Sequence, residues 1–354
     1  MSTPMRVFAI LGDGALRQTL QQQWRSNGIA LCAMHAEGSV SLAEELGRLR
    51  PHVLVADAEV DGVRELVQSA ARRYRIPTVC IVRAQQQSLA ALRPLEWGAV
   101  ELVVRRDSDV PGLVHDVEDC VHALRDAQVV EQLESVFPLS GAFPDASVFD
   151  LRRALRAIDA ADKVIVIAAG TGGPMAVRRI LTTLRGQTCS PIVYAQKLPH
   201  GLRDVLAQWL EAHTGTIVRP VIEGQPLEVG HVYVTSSTHE TVRMTGNDGR
   251  ACLRVGPMHG DAKPLNALLH STAATFGARA VGVLLSGRGD DGCAGLLALR
   301  AAGGLTIAQD RASSALYEAP GCAREAGGAI ECLPINEIAE RIRMLMHADH
   351  AARL

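Results

Sequence analysis

Residues 163–174, Lys-Val-Ile-Val-Ile-Ala-Ala-Gly-Thr-Gly-Gly-Pro, carry the strongest chemical signal in this chain. A β-branched apolar run, Val164 to Ile167, ends in a turn of small residues. Pro174 then opens a stretch with apolar positions at Met175, Val177, Ile180, Leu181 and Leu184. That spacing predicts a helix, and proline suits its first turn, where the backbone N–H has no intrahelical partner. A strand, a sharp turn and a helix N-terminus form the arrangement that presents a nucleophile, or holds an anion, above a parallel sheet. Acyl-transfer chemistry there needs a hydroxyl on the turn, a histidine to take its proton and a carboxylate to orient that histidine. It also needs N–H donors for the oxyanion. The position for the hydroxyl is Gly170, followed by Thr171 and Gly172, so the elbow has the geometry of an active site and lacks its reactive atom.

A second set of chemistry-bearing residues lies near the N-terminus, where Gly12-Asp13 and Asp57 close runs that read as the first and third strands. Ligands of doubly wound sheets sit beyond the carboxyl ends of the strands, where these residues fall.

The elements that must position both sets alternate. The first half reads as strands at 6–11, 29–35, 53–56, 78–82 and 101–104, each followed by a helix at 15–26, 39–48, about 64–73, 89–97 and 110–124. Five strand–helix units predict a doubly wound parallel sheet. Residues 127–161 lose this pattern around a turn-rich segment, Pro138 to Pro144, and read as a linker with short helices. The second half resumes with strands at 164–169, 192–196 and 216–221. Three antiparallel-looking segments follow at 231–235, 241–245 and 250–255, and Asn247-Asp248-Gly249 is a hairpin turn signal. Parallel alternation returns with a helix at 265–276, a strand at 281–286, a helix at 294–302, a strand at 305–308 and a last helix from Asn336. The expected fold is α/β: two doubly wound parallel-sheet domains, 4–126 and 162–347, the second Rossmann-type and carrying a β-hairpin insertion.

The first half resembles the receiver domain of two-component response regulators, a flavodoxin-like fold. The resemblance places the phosphoacceptor at Asp57, in Pro51-His-Val-Leu-Val-Ala-Asp57, and implies Mg²⁺ held with Asp13. The sequence departs from that pattern. Gly12 stands where a second acidic residue belongs, Val82 replaces the switch hydroxyl, and Arg105-Arg106 replaces a lysine and proline. Fewer carboxylates weaken Mg²⁺ binding and no hydroxyl reads out a phosphoryl group. A structural aspartate in a pseudo-receiver is the reading that follows.

The second half resembles the catalytic domain of the chemotaxis protein-glutamate methylesterases (CheB type) over nearly its whole length. Four motifs in register carry this: Ala168-Ala169-Gly170-Thr171-Gly172-Gly173; Gln196-Lys197-Leu198-Pro199-His200-Gly201; Val229-Gly230-His231-Val232-Tyr233; and Gly282 to Gly295, followed by Ile307-Ala308-Gln309-Asp310. Mapped position by position, the resemblance puts the nucleophile at Gly170, the base at Lys197 and the carboxylate at Asp291. The oxyanion amide falls in the Gly287-Arg288-Gly289 turn. A buried, unpaired Asp291 is costly, so a Lys197–Asp291 ion pair is expected to keep the cleft's shape without its chemistry.

The resemblance implies a cytoplasmic component of a bacterial chemosensory pathway. Its partners would be chemoreceptor methylation helices, a histidine kinase or a methyltransferase. Three readings follow: a non-catalytic binder, an active methylesterase or amidase using displaced residues (Thr171, His200 and Asp291), and a binder of a small anion at the glycine turn. Composition narrows the rest. The 354 residues are 47% hydrophobic and 21% charged with net charge −2. They give no basic footprint for nucleic acid or anionic membrane. Aromatic content of 3% leaves few stacking platforms for bases. No apolar run approaches a membrane span. Eight cysteines without a C-x-x-C pair read as reduced core thiols, and the twelve histidines show no metal-ligand spacing.

Overall fold

The computed structural model describes residues 4–129 and 163–351, apart from 39, 84–87, 106–108, 128, 185–187, 200, 237, 239, 248–249 and 261. The expected linker at 127–161 lies almost wholly outside the described residues. The chain divides into two compact units, 1–135 and 136–354.

The first unit is a five-stranded sheet of β1 (Met5–Ile10), β2 (Ile29–His35), β3 (Val53–Asp57), β4 (Thr78–Arg83) and β5 (Glu101–Arg105). The strands pair in the order β2-β1-β3-β4-β5, all parallel. Its helices are α1 (Gly14–Ser26), α2 (Val40–Leu49), α3 (Val63–Ser69), α4 (Arg93–Trp97) and α5 (Val110–Ala123). The helix expected near 64–73 gives way after Ser69 to a π-turn, Ala70–Tyr74, and α4 is preceded by a 3₁₀ turn, Leu89–Leu92. β3 is buried at every residue, as a central parallel strand covered on both faces must be. It therefore delivers Asp57 to the carboxyl edge at the end of an apolar run, with α1 starting nearby after β1.

The second unit holds a seven-stranded parallel sheet. Its strands are β6 (Val164–Ala169), β7 (Ile192–Gln196), β8 (Ile217–Pro220), β10 (His231–Ser236), β13 (Ala280–Leu284), β14 (Leu305–Gln309) and β15 (Glu331–Leu333), in the order β15-β14-β13-β6-β7-β10-β8. β9 (Gln225–Pro226), β11 (Glu240–Asn247) and β12 (Arg250–Pro257) form a small antiparallel sheet. The helices are α6 (Gly173–Leu184), α7 (Arg203–Thr214), α8 (Pro264–Phe276), α9 (Cys293–Ala301), α10 (Glu318–Glu325) and α11 (Ile335–Ala351).

One expectation is corrected here. The segment grouped with the hairpin at 231–235 is β10, a parallel strand between β7 and β8. Five of its six residues are buried, and the burial of Val232, Tyr233 and Val234 on opposite faces suits a two-sided core rather than a half-solvated hairpin. Only β11 and β12 form the hairpin, pairing from Glu240↔Pro257 to Asn247↔Arg250.

β6 is buried throughout and sits between β13 and β7 in the middle of the seven strands. Each fully buried valine or isoleucine there contributes about 1.5–3 kcal/mol, so the strand that ends at Gly170 is anchored by the core. α6 buries its apolar stripe, Val177, Ile180, Leu181 and Leu184, and packs beside α7 and α11.

Candidate functional site

The elbow is assembled from three strand ends. Gly170 N–H donates to the Ser286 carbonyl (2.9 Å) and Gly173 N–H to the Gly170 carbonyl (2.9 Å). Of the Gly170, Gly172 and Gly173 N–H groups that an anion at the glycine turn would meet, two are thus used inside the turn. Gly172 has φ of +82° and a Cβ there would lie 2.9 Å from the Ala315 Cβ, so both backbone and space require glycine. Gly170 is a different case. Its φ is unexceptional, and a Cβ would approach the Gly287 Cα at 3.0 Å and the Arg288 amide nitrogen at 3.6 Å. A serine there needs a few tenths of an ångström of relaxation, and the backbone amide assigned to the oxyanion stays beside it.

Beneath the turn, buried polar side chains brace the strand ends. Gln196 donates to the Gly170 and Lys197 carbonyls (2.9 and 2.8 Å) and accepts from the Tyr194 hydroxyl. The Ser286 hydroxyl donates to the Thr171 carbonyl (2.7 Å) and accepts from Leu316 N–H (2.9 Å). Gln309 accepts from Ser286 N–H (2.8 Å) and donates to the Ser313 carbonyl (2.6 Å). Ser286 is 1% exposed and engaged on both sides, so it is a brace and not a displaced nucleophile.

The ion pair expected from the sequence is formed: Lys197 Nζ stands 3.5 Å from Asp291 Oδ2, with the lysine side chain 36% exposed and the carboxylate 6%. Asp291 has a further role that is invisible in the sequence. Its oxygens accept the N–H groups of Leu265 (3.3 Å) and Asn266 (2.9 Å), so it caps the N-terminus of α8 from another element. Asn266 answers in kind, its Oδ1 accepting Gly292 N–H (3.0 Å) and Gly295 N–H (2.8 Å) at the start of α9. Two helices thus cap each other through one carboxylate and one amide.

The glycines of this motif follow from the same packing. Gly292 has φ of +104° and a Cβ would lie 2.6 Å from a Leu284 methyl; at Gly295 a Cβ would meet the Leu269 Cβ at 2.6 Å. The sequence signal for Asn266 was there to be read, an amide side chain in the first turn of a predicted helix, but its partner lies 26 residues away.

At the rim, Lys263 donates to Asp290 at 2.6 Å. The lysine holds that carboxyl below the usual range, and its own pKa is raised by the same bond. Arg288 and Gly289 are exposed on the turn, and Gly289 N–H donates to Glu318 (2.8 Å). Cys293 and Cys322 bring their Sγ atoms within 2.7 Å, and burial pushes the Cys293 thiol up to about 12. Of the displaced set, Thr171 is partly buried in the turn, Asp291 is committed as described, and His200 lies outside the described residues.

In the first unit, Asp13 Oδ1 accepts Ala15 N–H (2.8 Å) and Leu16 N–H (3.0 Å), capping α1, while Arg105 donates to Oδ2. The Leu16 N–H bond, then Arg105, hold the Asp13 carboxyl below the usual range. Asp57 is 9% exposed and accepts Glu59 N–H (3.1 Å). Val82 is buried. These residues do not fit Mg²⁺: a guanidinium and two amides occupy the Asp13 oxygens, and Gly12 offers no carboxylate where the Val60 side chain closes in at 3.2 Å from a Cβ. Among the described residues no group of three His, Cys, Asp or Glu is arranged to hold a metal, and no helix is long and apolar enough to cross a membrane.

A nucleophile-elbow turn at the centre of a parallel α/β sheet, with a buried aspartate beside it, defines a hydrolase-type scaffold. Residues 165–342 match the CheB methylesterase family. The protein-glutamate methylesterase/protein-glutamine glutaminase 1 of Xanthomonas euvesicatoria is 30% identical over 98% of both chains. The corresponding protein 2 of Burkholderia thailandensis is 30% identical over 96% of this chain and 98% of its own. The crystal structure of the Thermotoga maritima CheB methylesterase catalytic domain is 26% identical, covers 52% of this chain and 98% of its own, and superposes with a TM-score of 0.50. The chain belongs to the CheB methylesterase family.

Proposed function

We propose that this chain is a non-catalytic CheB-like component of a bacterial chemosensory pathway, which binds receptor methylation helices or pathway proteins at the elbow without demethylating them. The observation that carries the reading is the pairing at the site itself. The nucleophile position is Gly170, with no oxygen to attack an ester. The base position is Lys197, directed at an aspartate whose oxygens also cap α8. General-base catalysis needs an acceptor within reach of a nucleophile's proton, and this pair offers an ammonium instead. Arg105 at Asp13 supports the same reading for the first unit, where Asp57 acts as a structural aspartate in a pseudo-receiver.

The test is methanol release from methylated chemoreceptor, with ammonia release from the glutamine form as its partner assay. Wild type is expected at the no-enzyme rate in both, while the full-length chain still pulls down receptor, kinase or methyltransferase. Turnover by wild type overturns the reading in favour of the displaced set. The double variant Gly170→Ser, Lys197→His is expected to gain activity, because the strand ends, the Asp291 carboxylate and the Arg288 amide are in place and the serine needs only a small shift against Gly287.

A further inference from the structure

The β11–β12 hairpin carries a second, separate site. A groove of about 290 Å³ opens on its solvent face, lined among others by Thr241, Arg243, Arg254, Gly256 and His259. Arg243 and Arg254 are direct cross-strand partners, and both are exposed. Like charges facing each other across an antiparallel pair oppose the fold unless something answers them. Glu223 answers one of them: it accepts from Arg254 at 2.7 Å and from Val255 N–H at 2.5 Å. Among the described residues Arg243 has no carboxylate partner.

Two features suit this patch to carboxylates. The contact made by Glu223 displays how a carboxylate sits on this strand, bridging a guanidinium and a backbone amide. Gly256 has no conformational need for glycine, since its φ is not positive and a Cβ would meet nothing closer than 4.0 Å. The missing side chain therefore leaves the groove open beside Thr241, its cross-strand partner.

We propose that this groove binds an acidic peptide segment, with one carboxylate on Arg243 and a following one toward His259. Ala262 lines the groove, and the next residue in the chain, Lys263, holds Asp290 at the elbow's rim. The proposal concerns the hairpin alone and stands whether or not the elbow engages a receptor.

The experiment is fluorescence anisotropy of a labelled dodeca-glutamate peptide titrated with the full-length chain at low ionic strength. The matching glutamine peptide and short-chain polyphosphate serve as competitors. Arg243→Gln is expected to weaken binding about tenfold. Gly256→Leu is expected to do the same at unchanged net charge, by filling the groove. Arg219→Gln removes an exposed arginine from another strand, where it pairs with Glu211, and is expected to leave affinity within about twofold. Thermal unfolding of each variant confirms that it folds. The proposal is overturned if the chain does not bind the glutamate peptide, if the glutamine peptide competes equally, or if polyphosphate binds more tightly. It is also overturned if Gly256→Leu binds as wild type or if Arg219→Gln weakens binding as much as Arg243→Gln. Methanol release plays no part, so failure here leaves the reading of the elbow untouched.

Discussion

Two corners of this molecule, one in each unit, have arrived at the same arrangement by different routes. At the carboxyl edge of the first sheet, Asp13 caps α1 and is held by Arg105. At the edge of the second, Asp291 caps α8 and is approached by Lys197. In both, an aspartate that the family resemblance assigns to chemistry is bonded to helix N-terminal amides and faced by a cation. The difference lies in burial and in who does the holding. Asp13 is 30% exposed and its arginine partner lies within close hydrogen-bonding distance. Asp291 is 6% exposed, and its lysine stands at 3.5 Å with a side chain more than a third exposed. In the first corner the cation is a tight partner of an accessible carboxylate. In the second the backbone amides hold a buried one, and the lysine is a loose companion.

This difference makes ranked expectations, each able to break the comparison. Asp291→Ala is expected to have the largest effect, about 3 kcal/mol of unfolding free energy by urea titration, because it strands buried N–H groups at the start of α8. Asp291→Asn should restore most of that loss, since its amide oxygen still accepts from Asn266 N–H. If Asn costs as much as Ala, charge pairing and not capping keeps this residue, and the contrast with Asp13 disappears.

Asp13→Ala is expected to cost about 1–2 kcal/mol, the usual worth of a helix cap, and the loss should depend on pH. The folded carboxyl titrates below its ordinary value of 3.8, so its contribution is complete above that value and is lost as pH falls through the folded pKa. The gap between wild type and Asp13→Ala should therefore close on strong acidification, and a gap that stays constant would remove Arg105 and the cap as its cause. Lys197→Met is expected to be the mildest change, about 0.5–1 kcal/mol, as for an exposed partner of a longer ion pair. A loss near that of Asp291→Ala would mean that the lysine carries the corner after all.

How far these corners were legible follows from the reach of each interaction. The elbow at 163–174 could be read because strand, turn and helix are adjacent in the chain, and local residue types report them. The Lys197–Asp291 pair came from matching motif positions to a family pattern, since nothing in the spacing of residues 94 apart implies contact. Alternation near a hairpin signal looks antiparallel until the neighbouring strands are known, so the sequence groups β10 with the hairpin. β15 and α10, of three and eight residues, are too short for periodicity to mark them in the sequence.

The sequence by itself determined that the elbow has no hydroxyl at Gly170 and no imidazole at Lys197, since side-chain chemistry is fixed by residue type. It also determined the alternation that makes two α/β units. Only the tertiary structure decided why Asp291 persists. Its oxygens meet amides from a helix 26 residues earlier, and Asn266 returns the favour to α9, a reciprocal cap that exists only once α8 and α9 are packed at Gly295. Backbone groups at helix ends must find partners when buried, and the chain supplies them from wherever the fold brings a carboxylate or amide within reach.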